Sequence, residues 1–207
     1  MTIARLWQEN IGKLLELDLR YPRTAYQMMR RPGWLIREYL EGNRDSWFNP
    51  GKFVFLNATF YALVLTFAVP SDRLAAGFSQ ESTREVIIFA MGVVAYTAFI
   101  YLFVAAIVAR WLLRPVISTV AEAYVALLYI YGQGLLILSI IGLVYWHIAL
   151  TRVAMLIYIT WVVYQLAAAP RWSAILKGIV IYLSYTLAAM ASVWLIAYIR
   201  FVLLDPG

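Results

Sequence analysis

Residues 86–108 read VIIFAMGVVAYTAFIYLFVAAIV, an apolar run without one charged side chain. As a helix rising ~1.5 Å per residue, the run is long enough to cross the ~30 Å hydrocarbon core of a bilayer. An uninterrupted apolar stretch of this length is typical of a membrane span rather than of a helix in a soluble core. The run therefore predicts a transmembrane helix.

Four further apolar blocks occur along the chain, at about 53–69, 122–145, 153–169 and 178–199. The whole chain is 64% hydrophobic and 14% charged, whereas soluble domains are about half apolar and about a quarter charged. We therefore expect an all-α fold, in which 53–207 forms an integral membrane bundle of five transmembrane helices. A re-entrant block would change the count to four or six.

Basic residues are concentrated ahead of the first span. Nine of the 17 Lys and Arg residues lie in residues 1–52, and the later loops follow the same asymmetry only weakly. Because positive charge is retained on the cytoplasmic side, the pattern predicts a cytoplasmic N-terminus. With five spans, the C-terminus is then expected outside.

Residues 1–52 contain two amphipathic patterns. In 2–19 the apolar residues, Trp7 among them, recur at helical spacing, which suits a helix in the membrane interface. In 32–41, Pro32 suits the first turn of a helix and Gly42 suits its end. Its apolar stripe lies opposite Arg37, Glu38 and Glu41. Whether these helices lie on lipid or pack on the bundle stays open.

Charged residues near the predicted cytoplasmic end are the main candidates for function. Glu122 begins the third span and is close in sequence to Arg110 and Arg114, so an ion pair at the membrane edge is one interpretation. The other is a pocket for a lipid headgroup, a partner or a substrate, because arginine suits lipid phosphate. The candidate set is Arg37, Glu38, Glu41, Arg44, Arg110, Arg114 and Glu122.

Uncharged polar residues inside the spans are expected to bond between helices. This group comprises Thr97, Ser139, Thr160, Gln165, Ser184 and Thr186. Asn57 and Gln133 are the exceptions, since a lipid-exposed amide strongly favours a buried partner. Gly132 and Gly134, beside Gln133, suit close helix packing or a kink.

Small residues recur at every fourth place in the fifth span, at Ser184, Ala188 and Ser192. Such a stripe predicts a helix-contact face. Its partner is a neighbouring helix of the bundle, another membrane protein or a second copy of the chain.

The sequence lacks the residues that several kinds of chemistry require. The chain has no cysteine, which excludes disulfides and thiolate sites, and its one histidine, His147, has no companions for a metal site. Catalytic and phosphate-binding motifs are absent from the sequence. We expect no catalytic residues, no metal and no cofactor. Residues 1–52 hold nine basic and six acidic residues, half of the net charge of +6, and a basic segment beside anionic headgroups explains this charge, so no nucleic-acid partner is expected.

A motif in the N-terminal segment resembles a known family. It is Pro-Gly-x-x-Ile-Arg-x-Tyr-Leu-Glu-Gly-x-Arg over 32–44, followed by Asn49-Pro50. This pattern resembles a family of uncharacterised bacterial multi-span membrane proteins, loosely related to Yip1-like proteins. A second stretch, AEAYVALLYIYGQ at 121–133, is similar to the family's third-span entry, although Ala123 stands where the family commonly has histidine.

The resemblance implies a five-span protein of the bacterial cytoplasmic membrane and no established activity. Family members often carry an N-terminal zinc ribbon, which this cysteine-free chain lacks.

Two functional hypotheses follow. The first is a non-enzymatic membrane protein that organises anionic lipid or a partner membrane complex. The second is a small transporter, channel or lipid-translocating protein with a cytoplasmic-facing polar pocket. A membrane-embedded enzyme has no supporting motif.

Overall fold

The computed structural model describes residues 19–68, 99–144, 148–167 and 170–198. In these ranges all regular structure is helical, as predicted. The helices are α1 (Arg20–Arg30), α2 (Pro32–Leu40), α3 (Pro50–Phe67), α4 (Phe99–Leu112), α5 (Val120–Val144), α6 (Ile148–Ala167) and α7 (Arg171–Tyr198).

Four helices are long and apolar enough to cross a membrane, which fits a multi-pass membrane protein. They are Pro50–Phe67, Val120–Val144, Ala149–Ala167 and Arg171–Ser192. Helix α4 is apolar but shorter as described, because residues 86–98 of the second predicted span lie outside the described residues. The count of five spans stays a prediction.

Two spans begin earlier than the hydropathy pattern predicts. Helix α6 starts at Ile148 rather than 153, because Arg152 is exposed on the helix surface and does not interrupt it. Helix α7 starts at Arg171, directly after Pro170, rather than at 178. Its first turns pack on the bundle through Ala174, which is fully buried, so the polar residues there do not prevent helix formation.

Helix α5 is the centre of the bundle. Residues 126–135 are all buried, and a helix buried on every side must be surrounded by other elements. A Cβ atom on Gly132 would lie 2.8 Å from the Phe53 ring of α3, and one on Gly134 would overlap the Met155 sulfur of α6. The interpretation of these glycines as close-packing residues is therefore confirmed.

The contacts define the directions of the helices. The Tyr129 hydroxyl of α5 donates to the Phe48 carbonyl just before α3, at 2.6 Å, and Gly132 packs on Val54 one turn further along. Helices α3 and α5 therefore run parallel. Helices α6 and α7 form an antiparallel pair, in which Gly178 packs on Thr160.

Tyrosine side chains join three helices inside the bundle. The Tyr101 hydroxyl of α4 donates to the Tyr131 hydroxyl of α5 at 2.6 Å. The Tyr185 ring of α7 lies with its centroid 5.6 Å and 5.8 Å from those two rings. This aromatic cluster ties α7 and α4 to the central helix.

The expectation of polar bonds between spans is wrong for three residues. The hydroxyls of Ser139, Ser184 and Thr186 donate to carbonyls three or four residues back in their own helices. A short hydroxyl side chain reaches the preceding turn of its own helix, so it is satisfied without a partner span.

Candidate functional site

Helices α1 and α2, with the link to α3, form an N-terminal cap over residues 20–49. The predicted helix at 32–41 is confirmed by α2, and the predicted helix at 2–19 lies outside the described residues. Leu35 and Ile36, the inward stripe of α2, are fully buried, and so is Met28 of α1. The cap therefore packs on the bundle, one of the two alternatives that the sequence left open.

One hydrogen bond fixes helix α1 to α3, and a second fixes it to the link just before α3. The Tyr21 hydroxyl donates to Asn57 Oδ1 at 2.7 Å, and Thr24 Oγ1 accepts from the Phe48 amide at 3.0 Å. Partial burial raises the pKa of the Tyr21 hydroxyl above its usual range, so this hydroxyl remains a donor at neutral pH. Thr24 and Asn57 are fully buried, which makes both bonds internal to the fold.

A third bond fastens α1 to α6 and depends on a proline. Pro32 has no N–H, so the Met28 carbonyl four residues earlier lacks the donor that a continuing helix would supply. The Tyr158 hydroxyl of α6 donates to this carbonyl at 3.1 Å, and the bond is buried. The proline that begins α2 thus creates the acceptor that α6 binds.

Helix α2 meets the C-terminal end of α6. A Cβ atom on Gly33 would lie 2.6 Å from the Gln165 carbonyl carbon, so only glycine permits this approach. Arg37 Nη2 donates to the Gln165 carbonyl oxygen at 3.3 Å. The last carbonyls of a helix lack intrahelical donors and carry partial negative charge, which a guanidinium complements.

The charged candidates of the cap have local partners. Glu38 accepts from the Asn43 side chain at 2.8 Å, and the Arg44 guanidinium lies 5.9 Å from the Tyr39 ring centroid. Glu41 is exposed at the end of α2. None of these groups forms an ion pair with another candidate in the described parts of the chain.

The candidates on α4 and α5 form no hydrogen bond or ion pair with the cap among the described residues. Glu122 accepts from the Ser118 amide at 2.7 Å and from its hydroxyl at 2.8 Å, so it closes the first turn of α5. Arg114 is exposed, 6.0 Å from the Trp111 ring centroid. The Nη1 atom of Arg110 is buried without a hydrogen-bond partner. In the described parts of the chain, no hydrogen bond or ion pair joins any two of the seven charged candidates, and their grouping in one pocket stays a prediction.

The two predicted intramembrane amides are both inside the bundle. Asn57 is fully buried and Gln133 is 1% exposed. Tyr21 satisfies Asn57 Oδ1, whereas Asn57 Nδ2 and Gln133 Oε1 have no hydrogen-bond partner. Among the described residues, Asn57 and Gln133 are the amides of the predicted spans that keep a buried atom without a partner.

The small-residue stripe of α7 is half-buried. Ala188 packs against the hydrophobic core, and Ser184 and Ser192 bond within their own helix. The stripe thus makes contact inside the bundle, and its contact with a further protein stays a prediction.

The outward side of α1 is basic and partly apolar. Arg23, Arg30, Tyr26 and Met29 are exposed there, and the next exposed residues along the chain include Arg31 and Trp34. Residues 19–37 hold five arginines and no acidic residue. Sequence reasoning missed this face because α1 was not predicted as a helix.

Metal chemistry gains no support in the described residues. They contain no group of three or more His, Asp or Glu side chains that could hold a metal ion. His147 lies outside them.

The fold and the cap define a multi-pass helical membrane protein whose first span carries a tightly docked helical pair. Residues 18–62 match a family model described as "Protein of unknown function (DUF3667)". The match covers α1, α2 and most of α3, so it coincides with the cap and the span that receives it. No curated protein matches the chain, and no solved structure does.

Proposed function

We propose that the protein is a non-enzymatic membrane protein that organises anionic lipid around its N-terminal cap. The observation that carries the proposal is the outward face of α1 and its continuation, where Arg23, Arg30 and Arg31 are exposed beside Tyr26 and Trp34. The bacterial cytoplasmic membrane, with the cap on the cytoplasmic side, is part of this proposal.

The residue types of this face suit lipid headgroups. A guanidinium binds phosphate through paired hydrogen bonds, and each basic residue near an anionic surface contributes about 1 kcal/mol. Tyrosine and tryptophan place an apolar body and a polar edge at headgroup depth. Since acidic residues are absent from 19–37, no internal charge of that stretch competes with the lipid phosphate.

The attachment of the cap gives this face a fixed position. Tyr21, Met28 and Gly33 hold α1 and α2 against α3 and α6, as described above. A rigid basic face beside the spans would gather anionic lipid next to the bundle rather than along a mobile tail.

A second arginine contact is proposed at the end of α4. Arg114 is exposed beside Trp111, and Arg110 keeps a guanidinium nitrogen without a partner. Arginine and tryptophan together at a helix end are typical of an interface anchor.

The test is lipid enrichment. The full chain is reconstituted in bilayers with a minority of anionic lipid, released gently and examined by native mass spectrometry. Bound anionic lipid should fall several-fold in the double variant Arg30→Gln, Arg31→Gln. The control for lost positive charge is Arg152→Gln, on the exposed surface of α6, which removes one charge where the double variant removes two and should keep the wild-type lipid profile.

Equal lipid profiles in the double variant and the wild type would contradict the proposal. An equal loss of bound anionic lipid in the control would mean that only net charge matters, and this result would also contradict the proposal.

A second candidate function is lipid translocation or small-solute transport. Its specific support is the pair of incomplete amides, Asn57 and Gln133, in the interior of the bundle. Liposomes containing the protein would then move a fluorescent lipid between leaflets, and Gln133→Met would abolish the movement. Leaflet exchange equal to that of protein-free liposomes removes this candidate.

A further inference from the structure

Two incomplete amides lie one helical turn beyond a pair of contacting rings. The Phe53 ring of α3 and the Tyr129 ring of α5 pack with centroids 6.0 Å apart. Asn57 follows Phe53 by four residues, and Gln133 follows Tyr129 by four. Residues four apart share a helix face, and the two helices are parallel, so both amides lie one turn on from the rings at the same level.

The free atoms of these amides are complementary. The Tyr21 hydroxyl occupies Asn57 Oδ1, which leaves Nδ2 as a donor without a partner. Gln133 keeps Oε1 as an acceptor without a partner. Asn57 is fully buried and Gln133 is 1% exposed, so neither bulk solvent nor lipid tails provide a partner for these atoms.

This pairing selects the chemistry of a ligand. A cation is excluded because Asn57 presents N–H, and an anion because Gln133 presents an oxygen. A group that accepts one hydrogen bond and donates another satisfies both atoms, and a neutral hydroxyl does this with a single oxygen. We infer that Asn57 and Gln133 form a binding site for one hydroxyl group between α3 and α5.

The hydroxyl belongs either to a water molecule or to a lipid alcohol. In both cases its oxygen accepts from Asn57 Nδ2 and its hydrogen is donated to Gln133 Oε1. The site is independent of the basic face proposed to gather anionic lipid, because it stands on buried amides and not on arginines. Through Asn57 it also touches Tyr21, so the bound group connects the cap to the central helix.

The first experiment is X-ray radiolytic labelling of the full chain in nanodiscs, read by peptide mass spectrometry. A bound water yields hydroxyl radicals in place, so the adjacent Phe53 and Tyr129 rings should be oxidised several-fold more than the buried Tyr131 ring. Gln133→Met keeps the side-chain volume and removes the acceptor, and it should bring the labelling of both rings down to the Tyr131 level. The control is Ser139→Ala, a buried α5 hydroxyl that is already satisfied by Leu135.

The second experiment separates the two sources. A bound lipid alcohol gives no local radicals, but it stays with the protein in native mass spectrometry and is detected as an added mass. This added mass should be absent from Gln133→Met and present in Ser139→Ala. Labelling without added mass assigns the hydroxyl to water, and added mass without labelling assigns it to a lipid. The inference is overturned if the wild type shows neither signal, or if Gln133→Met changes neither.

Failure of the hydroxyl-site inference can be distinguished from failure of the lipid-enrichment proposal. The double variant of Arg30 and Arg31 tests only the basic face, because it leaves both amides in place. Folding of Gln133→Met is checked by its circular dichroism and elution volume. If that variant does not fold, Asn57→Leu provides the same test from the donor side.

Discussion

Tyr158 illustrates at the scale of one residue how the cap is held. Its hydroxyl is the partner of the Met28 carbonyl, which Pro32 leaves without a backbone donor. The sequence contains the reason for this bond, since a proline four residues after a carbonyl removes its donor. The identity of the replacement could not be predicted, because Tyr158 is 130 residues away along the chain.

Tyr158→Phe should destabilise the protein. The substitution keeps the ring and leaves a buried carbonyl unsatisfied, which costs about 1–3 kcal/mol. The measurement is the free energy of unfolding in detergent, with the partly exposed Tyr164→Phe of the same helix as the control. Equal stabilities of the two variants would contradict the assigned bond.

Gly33 lets α2 approach the backbone of α6 closely. A methyl group there would meet the Gln165 and Leu166 backbone, which cannot move away as a flexible side chain could. Gly33→Ala should therefore lower stability by about 1–3 kcal/mol through overpacking. It should also increase proteolysis within the cap.

The exposed Glu41→Ala, one residue past α2, is the matched control and should leave both measurements unchanged. Wild-type resistance of Gly33→Ala to protease would show that α2 does not need this contact.

Helix α1 is the element that sequence reasoning missed. In its sequence, RYPRTAYQMMR, the inward residues Tyr21, Ala25 and Met28 recur at helical spacing, but the stripe is short, contains Pro22 in its first turn and includes the polar Thr24. A threonine predicts a surface position unless its hydrogen bond to the Phe48 amide is known. Helix α2 was predictable, since its proline start, glycine end and apolar stripe all lie within twelve residues.

Helix α5 could be predicted as a span but not as the central one. Hydropathy ranks apolar runs and does not say which of them is enclosed. The local signal was the pair of glycines around Gln133, which indicates close neighbours on two sides. The candidate site was also predictable only in part. Residue type identified the two amides, Asn57 and Gln133. Their alignment could not be predicted, because it depends on the parallel packing of α3 and α5.

At the scale of the whole molecule, the helix directions separate the two ends of the bundle. The cap meets the start of α3 and the end of α6, and α7 runs antiparallel to α6 away from that end. The cap and the far end of α7 therefore lie at opposite ends of the bundle. Which end faces the cytoplasm is predicted by the basic residues of 1–52.

The absence of cysteine from the sequence makes the orientation simple to measure. Single substitutions Asp45→Cys in the cap and Pro115→Cys between α4 and α5 should resist a membrane-impermeant maleimide in intact cells. Gly207→Cys should react with it. Labelling of Asp45→Cys together with protection of Gly207→Cys would show that the predicted orientation is wrong.

The bonds of the cap also constrain how the chain is made. Tyr21 cannot form its hydrogen bond until Asn57, 36 residues later, has been synthesised. The Met28 carbonyl cannot accept its hydrogen bond until Tyr158, 130 residues later, has been synthesised. Synthesis runs from the N-terminus, so α1 leaves the ribosome long before its partner on α6 exists. Insertion of α6 therefore completes the attachment of α1, and until then only α3 and the link before it hold the basic helix beside the membrane surface.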